Sequence, residues 1–251
     1  MRLARDSYLL TMRTIRESLR NPALLGGNVF IPLFFFFVNL GVFKNIAATG
    51  FGVTDYAGFA LPAAILQAVS NASAGQGLVQ DMQRGYFDKL ALTAAPRPAL
   101  ILGRMGADVT MAIVLSALII GVGMIAGARI ESGIAGALLL LLMSGVFALV
   151  YGAMGVALAL RTGSPQMVQL SFLLFFPLLF LSPAFAPKEV FTGWLEFLAT
   201  INPVTYVMEG MRSLVLTGWD GAALWKAAAA MGGLGLFTFT MTALAYRHRS
   251  L

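Results

Sequence analysis

Residues 134–159 read IAGALLLLLMSGVFALVYGAMGVALA, 26 positions without one charged side chain. About 20 apolar residues in a helix cross the hydrocarbon core of a bilayer, so this run is long enough to span a membrane. Five further apolar stretches surround it, at about 24–43, 56–79, 107–128, 166–186 and 222–246. The whole chain has the same character: of 251 residues, 59% are hydrophobic and 11% charged, and the mean hydropathy is +0.83. A soluble domain carries roughly 25% charged residues, so there is too little polar surface here to cover a globule in water. That excludes most soluble enzymes, disordered regulators and secreted disulfide scaffolds. The absence of cysteine excludes disulfides, thiol catalysis and Cys-ligated metals. The reading is an all-α polytopic membrane protein, one transmembrane domain over residues 1–251, with six crossing helices.

Apart from Asp108 and Lys226, near the ends of their stretches, the charged residues lie outside and orient the helices. Residues 1–22 hold five arginines, Arg2, Arg5, Arg13, Arg16 and Arg20, beside a stripe of Tyr8, Met12, Ile15 and Leu19. At 100° per residue this is an amphipathic helix lying in the membrane interface, with arginines reaching toward anionic headgroups. Asn21-Pro22 ends it, because the residue before proline disfavours helix. With the 80–105 loop, Arg161, Arg247 and Arg249, one side of the membrane carries 12 of the 17 basic residues. By the positive-inside rule both termini are cytoplasmic. The net charge of +6 is therefore an orientation signal and gives no reason to invoke nucleic acid.

Two connections are long. The cytoplasmic one reads DMQRGYFDKLALTAAPRPALILGRMGAD over 81–108, and its first part, Asp81 to Leu90, is expected to form a short helix before Pro96 and Pro98. Two readings of its exposed Tyr86, Phe87 and Leu90 stay open: a docking surface for a partner, or a solvated loop whose aromatics sit at the interface. The external connection, 187–221, is aromatic and amphipathic but too interrupted to cross, and Asn202-Pro203 divides it. An aromatic belt and a pair of re-entrant half-helices both give such a pattern. Re-entrant packing against the last two spans is the preferred one.

Chemistry-bearing groups are few. No Gly-x-x-x-x-Gly-Lys-Ser/Thr phosphate loop is present, so work driven by ATP has to come from another chain. Gly75-Gln76-Gly77 lies in a span and reads as helix packing. Asp108, at the cytoplasmic mouth of the third span, is expected to pair with Arg104 one turn earlier. The polar or aromatic residues able to line a cavity are Asn39, Gln67, Asn71, Phe172, Phe175 and Phe176, and packing is the competing role for each. An apolar wall with few polar groups suits hydrophobic cargo. Pro177 is expected to kink the fifth span.

With both loops in view, the chain resembles the permease subunits of ABC-2 type transporters, in the group of daunorubicin-resistance-like export permeases. The basic segment before the first span is similar to the family's interfacial elbow helix. DMQRGYFDKLALTAAPRPALILGR resembles its acidic residue, Arg-Gly, hydrophobic pair, acidic-basic-Leu, Pro and later Gly-Arg pattern. NPVTYVMEGMRSLVLTG resembles its Asn-Pro, aromatic, Arg-Ser-Leu segment. The resemblance implies six helices per subunit and a homodimer, or a heterodimer with a related permease. It also implies two separately encoded ATPase subunits, which bind ATP and magnesium; this chain itself holds no cofactor.

The 81–90 helix would then be the coupling helix docking on the ATPase through Arg84, Tyr86, Phe87, Asp88 and Leu90, with Tyr86 standing where the family often has Thr. Residues 187–219, with Asn202, Pro203, Tyr206, Glu209 and Arg212, would be the re-entrant helices. The implied activity is export of a drug-like compound, a lipid or a lipid-linked glycan across a bacterial plasma membrane. The alternative, a secondary transporter or channel without an ATPase, is disfavoured by the lack of intramembrane charge and of internal repeats.

Overall fold

The computed structural model describes residues 2–20, 22–50, 52–70, 74–85 and 98–249. Among these, the regular elements are helices: α1 (Arg2–Leu19), α2 (Pro22–Gly50), α3 (Tyr56–Val69), α4 (Ala74–Gln83), α5 (Pro98–Ile125), α6 (Gly133–Thr162), α7 (Pro165–Phe180), α8 (Trp194–Ile201), α9 (Pro203–Leu216) and α10 (Gly221–Arg249). A single 3₁₀ turn, Lys188–Val190, precedes α8. Among the described residues, four helices are long and apolar enough to cross a membrane, over Gly26–Gly50, Ala99–Ile125, Gly133–Thr162 and Gly221–Arg247. The 56–79 stretch is two shorter helices, α3 and α4, and the fifth stretch is helical only to Phe180.

Local chemistry sets the ends. Asp55 caps α3, accepting from the Gly58 N–H at 2.8 Å, and its second oxygen accepts from the Arg129 N–H at 3.2 Å. Gly163, at φ 63°, closes α6 in the left-handed conformation that glycine adopts freely. Pro165 and Pro203 occupy first turns, where no N–H is needed. The turn between α5 and α6 also finishes α9: the Glu131 and Ser132 N–H groups donate to the Val215 and Leu214 carbonyls at 3.0 and 3.1 Å. Those carbonyls would otherwise be orphans of a helix C-terminus.

α6 is the central helix, in contact with α3, α4, α5, α7, α9 and α10. Its two ends meet different partners. Near its start, Gly136 lies by Leu214 of α9; near its end, a Cβ on Gly75 of α4 would collide with the Gly155 main chain. Close approach of small residues is how helices gain dispersion contacts when lipid competes for apolar surface. Gly75 thus serves packing, the role expected for it.

One core cluster runs through α2, α3, α5, α6, α7, α9 and α10, around Phe147, Phe175, Leu61, Met208 and Met211. A smaller one joins α4, α5, α6, α7 and α10 around Leu78, Leu100, Val156 and Val168. Large apolar side chains are also bare, Phe30, Ile125, Ile134, Trp225 and Leu236 among them. Surface of this kind belongs in lipid or against another subunit.

Candidate functional site

Charges gather where α1, α4 and α5 meet. Asp81, in the last turn of α4, is buried, and its Oδ2 accepts from Arg104 Nε at 2.9 Å and Nη2 at 2.6 Å. Arg104 is buried too, and its guanidinium fills the space beside Gly77, where any Cβ would strike it. Arg13 of α1 approaches the other oxygen of Asp81 at 3.7 Å, and Glu17 of α1 lies 3.7 Å from Arg84. α1 rests on α5 through small contacts. The Thr11 hydroxyl reaches the Gly103 carbonyl at 3.0 Å, and Gly103 and Gly106 leave room for Leu10 and Thr11.

The 80–105 loop is helical at both ends: α4 runs to Gln83, α5 starts at Pro98, and the Asp81 and Arg104 side chains are inside. The expected pairing of Arg104 with Asp108 is corrected. That carboxylate instead accepts from the Ala74 N–H at 2.8 Å, at the start of α4, where the helix dipole favours an anion. The expected helix from Asp81 to Leu90 is corrected at its beginning as well, because α4 ends at Gln83 and Gly85 turns the chain at φ 66°. Arg84 stands exposed at that turn. Tyr86, Phe87, Asp88 and Leu90 lie outside the described residues, as does Asn71 of the cavity set.

Of the candidate cavity residues, Asn39 and Gln67 come together. They line a crevice of about 20 Å³ between α2, α3 and α7, with Phe35, Phe36, Ala60, Ala63, Ala64, Leu179, Phe180, Ala184 and Phe185. The Asn39 amide is turned to its own helix, donating to the Phe35 carbonyl at 2.7 Å. The room is that of about one water-sized sphere. Phe175 is placed elsewhere, fully buried against Phe147 and Tyr151 at 6.1 and 5.5 Å between ring centres. Phe172 and Phe176 form an edge-on pair 5.2 Å apart, half-buried on α7. Sequence periodicity could not separate these three, since α7 is apolar on every side.

At the opposite end of α6, the α8–α9 pair is held by main-chain carbonyls. Asn202 caps α9, its Oδ1 accepting from Val204 at 3.0 Å, while its Nδ2 donates to the Leu178 carbonyl of α7 at 2.6 Å. Arg212 donates to the Pro183 and Phe59 carbonyls at 2.6 and 3.2 Å, and the Tyr56 hydroxyl donates to the Phe185 carbonyl at 3.1 Å. Tyr206 donates to Thr200 across the Asn202-Pro203 break. Burial lowers the Arg212 guanidinium to about 10, although Glu209 and Tyr56 oppose the shift. Glu209 is half-buried, and its carboxyl is raised by burial, against the pull of Lys188 and Arg212. Tyr56 was not among the expected residues; its only sequence signal was an aromatic next to the capping Asp55.

The ABC-2 type transporter family matches residues 6–216. The daunorubicin resistance ABC transporter permease protein DrrB1 of Streptomyces coeruleorubidus is 28% identical over 201 residues, 77% of this chain and 69% of that protein. A Mycobacterium tuberculosis protein named "Probable doxorubicin resistance ABC transporter permease protein DrrC" is 23% identical over 254 aligned positions, 98% of this chain and 89% of that protein.

Proposed function

Because the chain belongs to the ABC-2 type transporter family, we propose that it is the membrane-embedded permease of an ATP-driven exporter. It is a transporter permease subunit with bare apolar helices, similar to permeases named for daunorubicin and doxorubicin resistance. In this reading it works as a dimer, with itself or a related permease, on two copies of a separate ABC ATPase that hold ATP and magnesium. Six crossings are made by α2, by α3 with α4, and by α5, α6, α7 and α10. α1 lies in the interface, and both termini face the cytoplasm of a bacterial cell, an orientation that 12 of 17 basic residues on that side support.

The observation that carries this reading is the family match over residues 6–216 of a chain that has no phosphate loop of its own. In this reading the parts act in sequence. ATP-driven closure of the ATPases pushes on the connection after α4, through Arg84 and the Tyr86, Phe87, Asp88 and Leu90 beyond it. α4 and α5 carry that push into the bundle, and the crevice of Asn39 and Gln67 widens between α2, α3 and α7. A hydrophobic or amphipathic cargo, drug-like or lipid-like, enters there, and the α8–α9 pair closes the external side.

Inverted membrane vesicles containing the permease and its ATPase test this with daunorubicin as probe. ATP-dependent uptake that disappears without the ATPase is the expected result. Uptake driven by a proton gradient and indifferent to ATP would establish the secondary-transporter alternative.

A further inference from the structure

We propose that Asp81 and Arg104 are the clamp that makes α1, α4 and the start of α5 respond as one body to the connection they flank. Its mechanical role rests on the coupling reading above.

The pair joins positions 23 apart in sequence, one on each stem of the connection that leaves α4 and returns as α5. Both side chains are nearly out of reach of solvent, 2% and 7% exposed. Burying two charges is costly, and apolar replacements of similar volume often match or exceed such a pair in stability. What the pair supplies is direction: two donors of one planar guanidinium converge on a single oxygen, which fixes the relative register of the two helices. Gly77 makes this possible, because only a residue without Cβ leaves room for the guanidinium.

The same carboxylate reaches a third helix, through Arg13 of α1 at 3.7 Å. The outer link between Glu17 and Arg84 is 44% and 66% exposed, so solvent screens it and it adds little. The buried pair is therefore the part able to keep the stems together under load. A push on the connection cannot be absorbed by the stems splaying, and it passes to α1 and α5 together.

The chain has no cysteine, so spin-label pairs can be introduced without removing native thiols. One pair, at Gln80 and Leu102, reports the stems; another, at Leu9 and Leu142, reports α1 against α6. All four positions are exposed. The wild-type stems are expected to give one narrow distance distribution, and Asp81→Asn a broad one. In the complex with the ATPase, ATP with vanadate should shift the Leu9–Leu142 distance; Asp81→Asn should abolish the shift, and Asp81→Glu should restore it.

Asp81→Leu with Arg104→Met guards against simple misfolding, because it leaves no buried charge unpaired. It should melt like the wild type and still lose at least half of the shift. A narrow stem distribution in Asp81→Asn, or a full shift in the double variant, overturns the clamp. If the wild-type permease binds no ATPase or shows no shift, the coupling reading fails, and the stem distances still decide whether the clamp exists.

Discussion

The Arg212 guanidinium lies 3.6 Å from the centre of the Phe59 ring and donates through Nε to the Phe59 carbonyl at 3.2 Å. Its Nη2 holds the Pro183 carbonyl, so one side chain of α9 ties α3 to the turn after α7. Charge-assisted hydrogen bonds contribute about 1.5–3 kcal/mol each, and a desolvated cation–π contact about 2 kcal/mol. Arg212→Met should therefore lower the melting temperature in detergent by roughly 5 °C or more. Arg212→Lys should recover little, because an ammonium cannot stack on the ring while serving two separated carbonyls. Melting of purified protein, followed by size-exclusion chromatography after heating, checks both.

Asn202 uses both ends of its amide, the oxygen as the cap of α9 and the nitrogen as donor to Leu178 of α7. Asn202→Asp keeps the cap but sets a carboxylate oxygen against a carbonyl oxygen. The expected loss is about 1–3 kcal/mol, the cost of an unsatisfied buried group. Asn202→Asp falling no further than Asn202→Ala in a thermal scan would contradict the second role.

Glycines provide an internally controlled series. Gly77→Ala drives a methyl into the Arg104 guanidinium, and Gly75→Ala drives one into the Gly155 main chain. Each should cost about 1–3 kcal/mol by overpacking. Gly121, inside α5, faces open space, and Gly121→Ala should be neutral or stabilise by up to about 1 kcal/mol through helix propensity. Yields and melting temperatures of the three variants, measured side by side, give the order.

Glu209 carries a pH dependence. Burial raises its carboxyl above the ordinary value of 4.5, so the folded state holds the proton more tightly than the unfolded one. Its contribution is most favourable at low pH and is lost as pH rises through the raised folded value. Glu209→Gln should therefore melt higher than the wild type at pH 8, with the difference closing as pH falls to the ordinary carboxylate range. A constant difference from pH 4 to pH 8 would show that ionisation is not its cause.

The sequence revealed what depends on runs of like residues. The uncharged run at 134–159 lies inside α6, and the break at Asn202-Pro203 separates α8 from α9, because a length of apolar chain and a proline act locally. Interior charge was not legible. Hydropathy places Asp81 and Arg104 in a loop, and only the meeting of α4 with α5 across Gly77 shows that they neutralise each other inside. The i, i+4 spacing of Arg104 and Asp108 suggested a local pair, but the N-terminus of α4 claims the carboxylate of Asp108. The candidate cavity was half legible: Asn39 and Gln67 share a crevice, whereas Phe175 serves the core, a choice made by Phe147 and Tyr151 of α6.

The central claim is that this permease works with a separate ATPase. Affinity purification of the tagged chain from membranes of its source cell, in mild detergent with ATP and vanadate, tests it most directly. An ABC ATPase recovered in a one-to-one ratio with the permease, and hydrolysing ATP in the complex, is the predicted result. A permease recovered without any ATPase, yet moving daunorubicin in vesicles devoid of ATP, would contradict it.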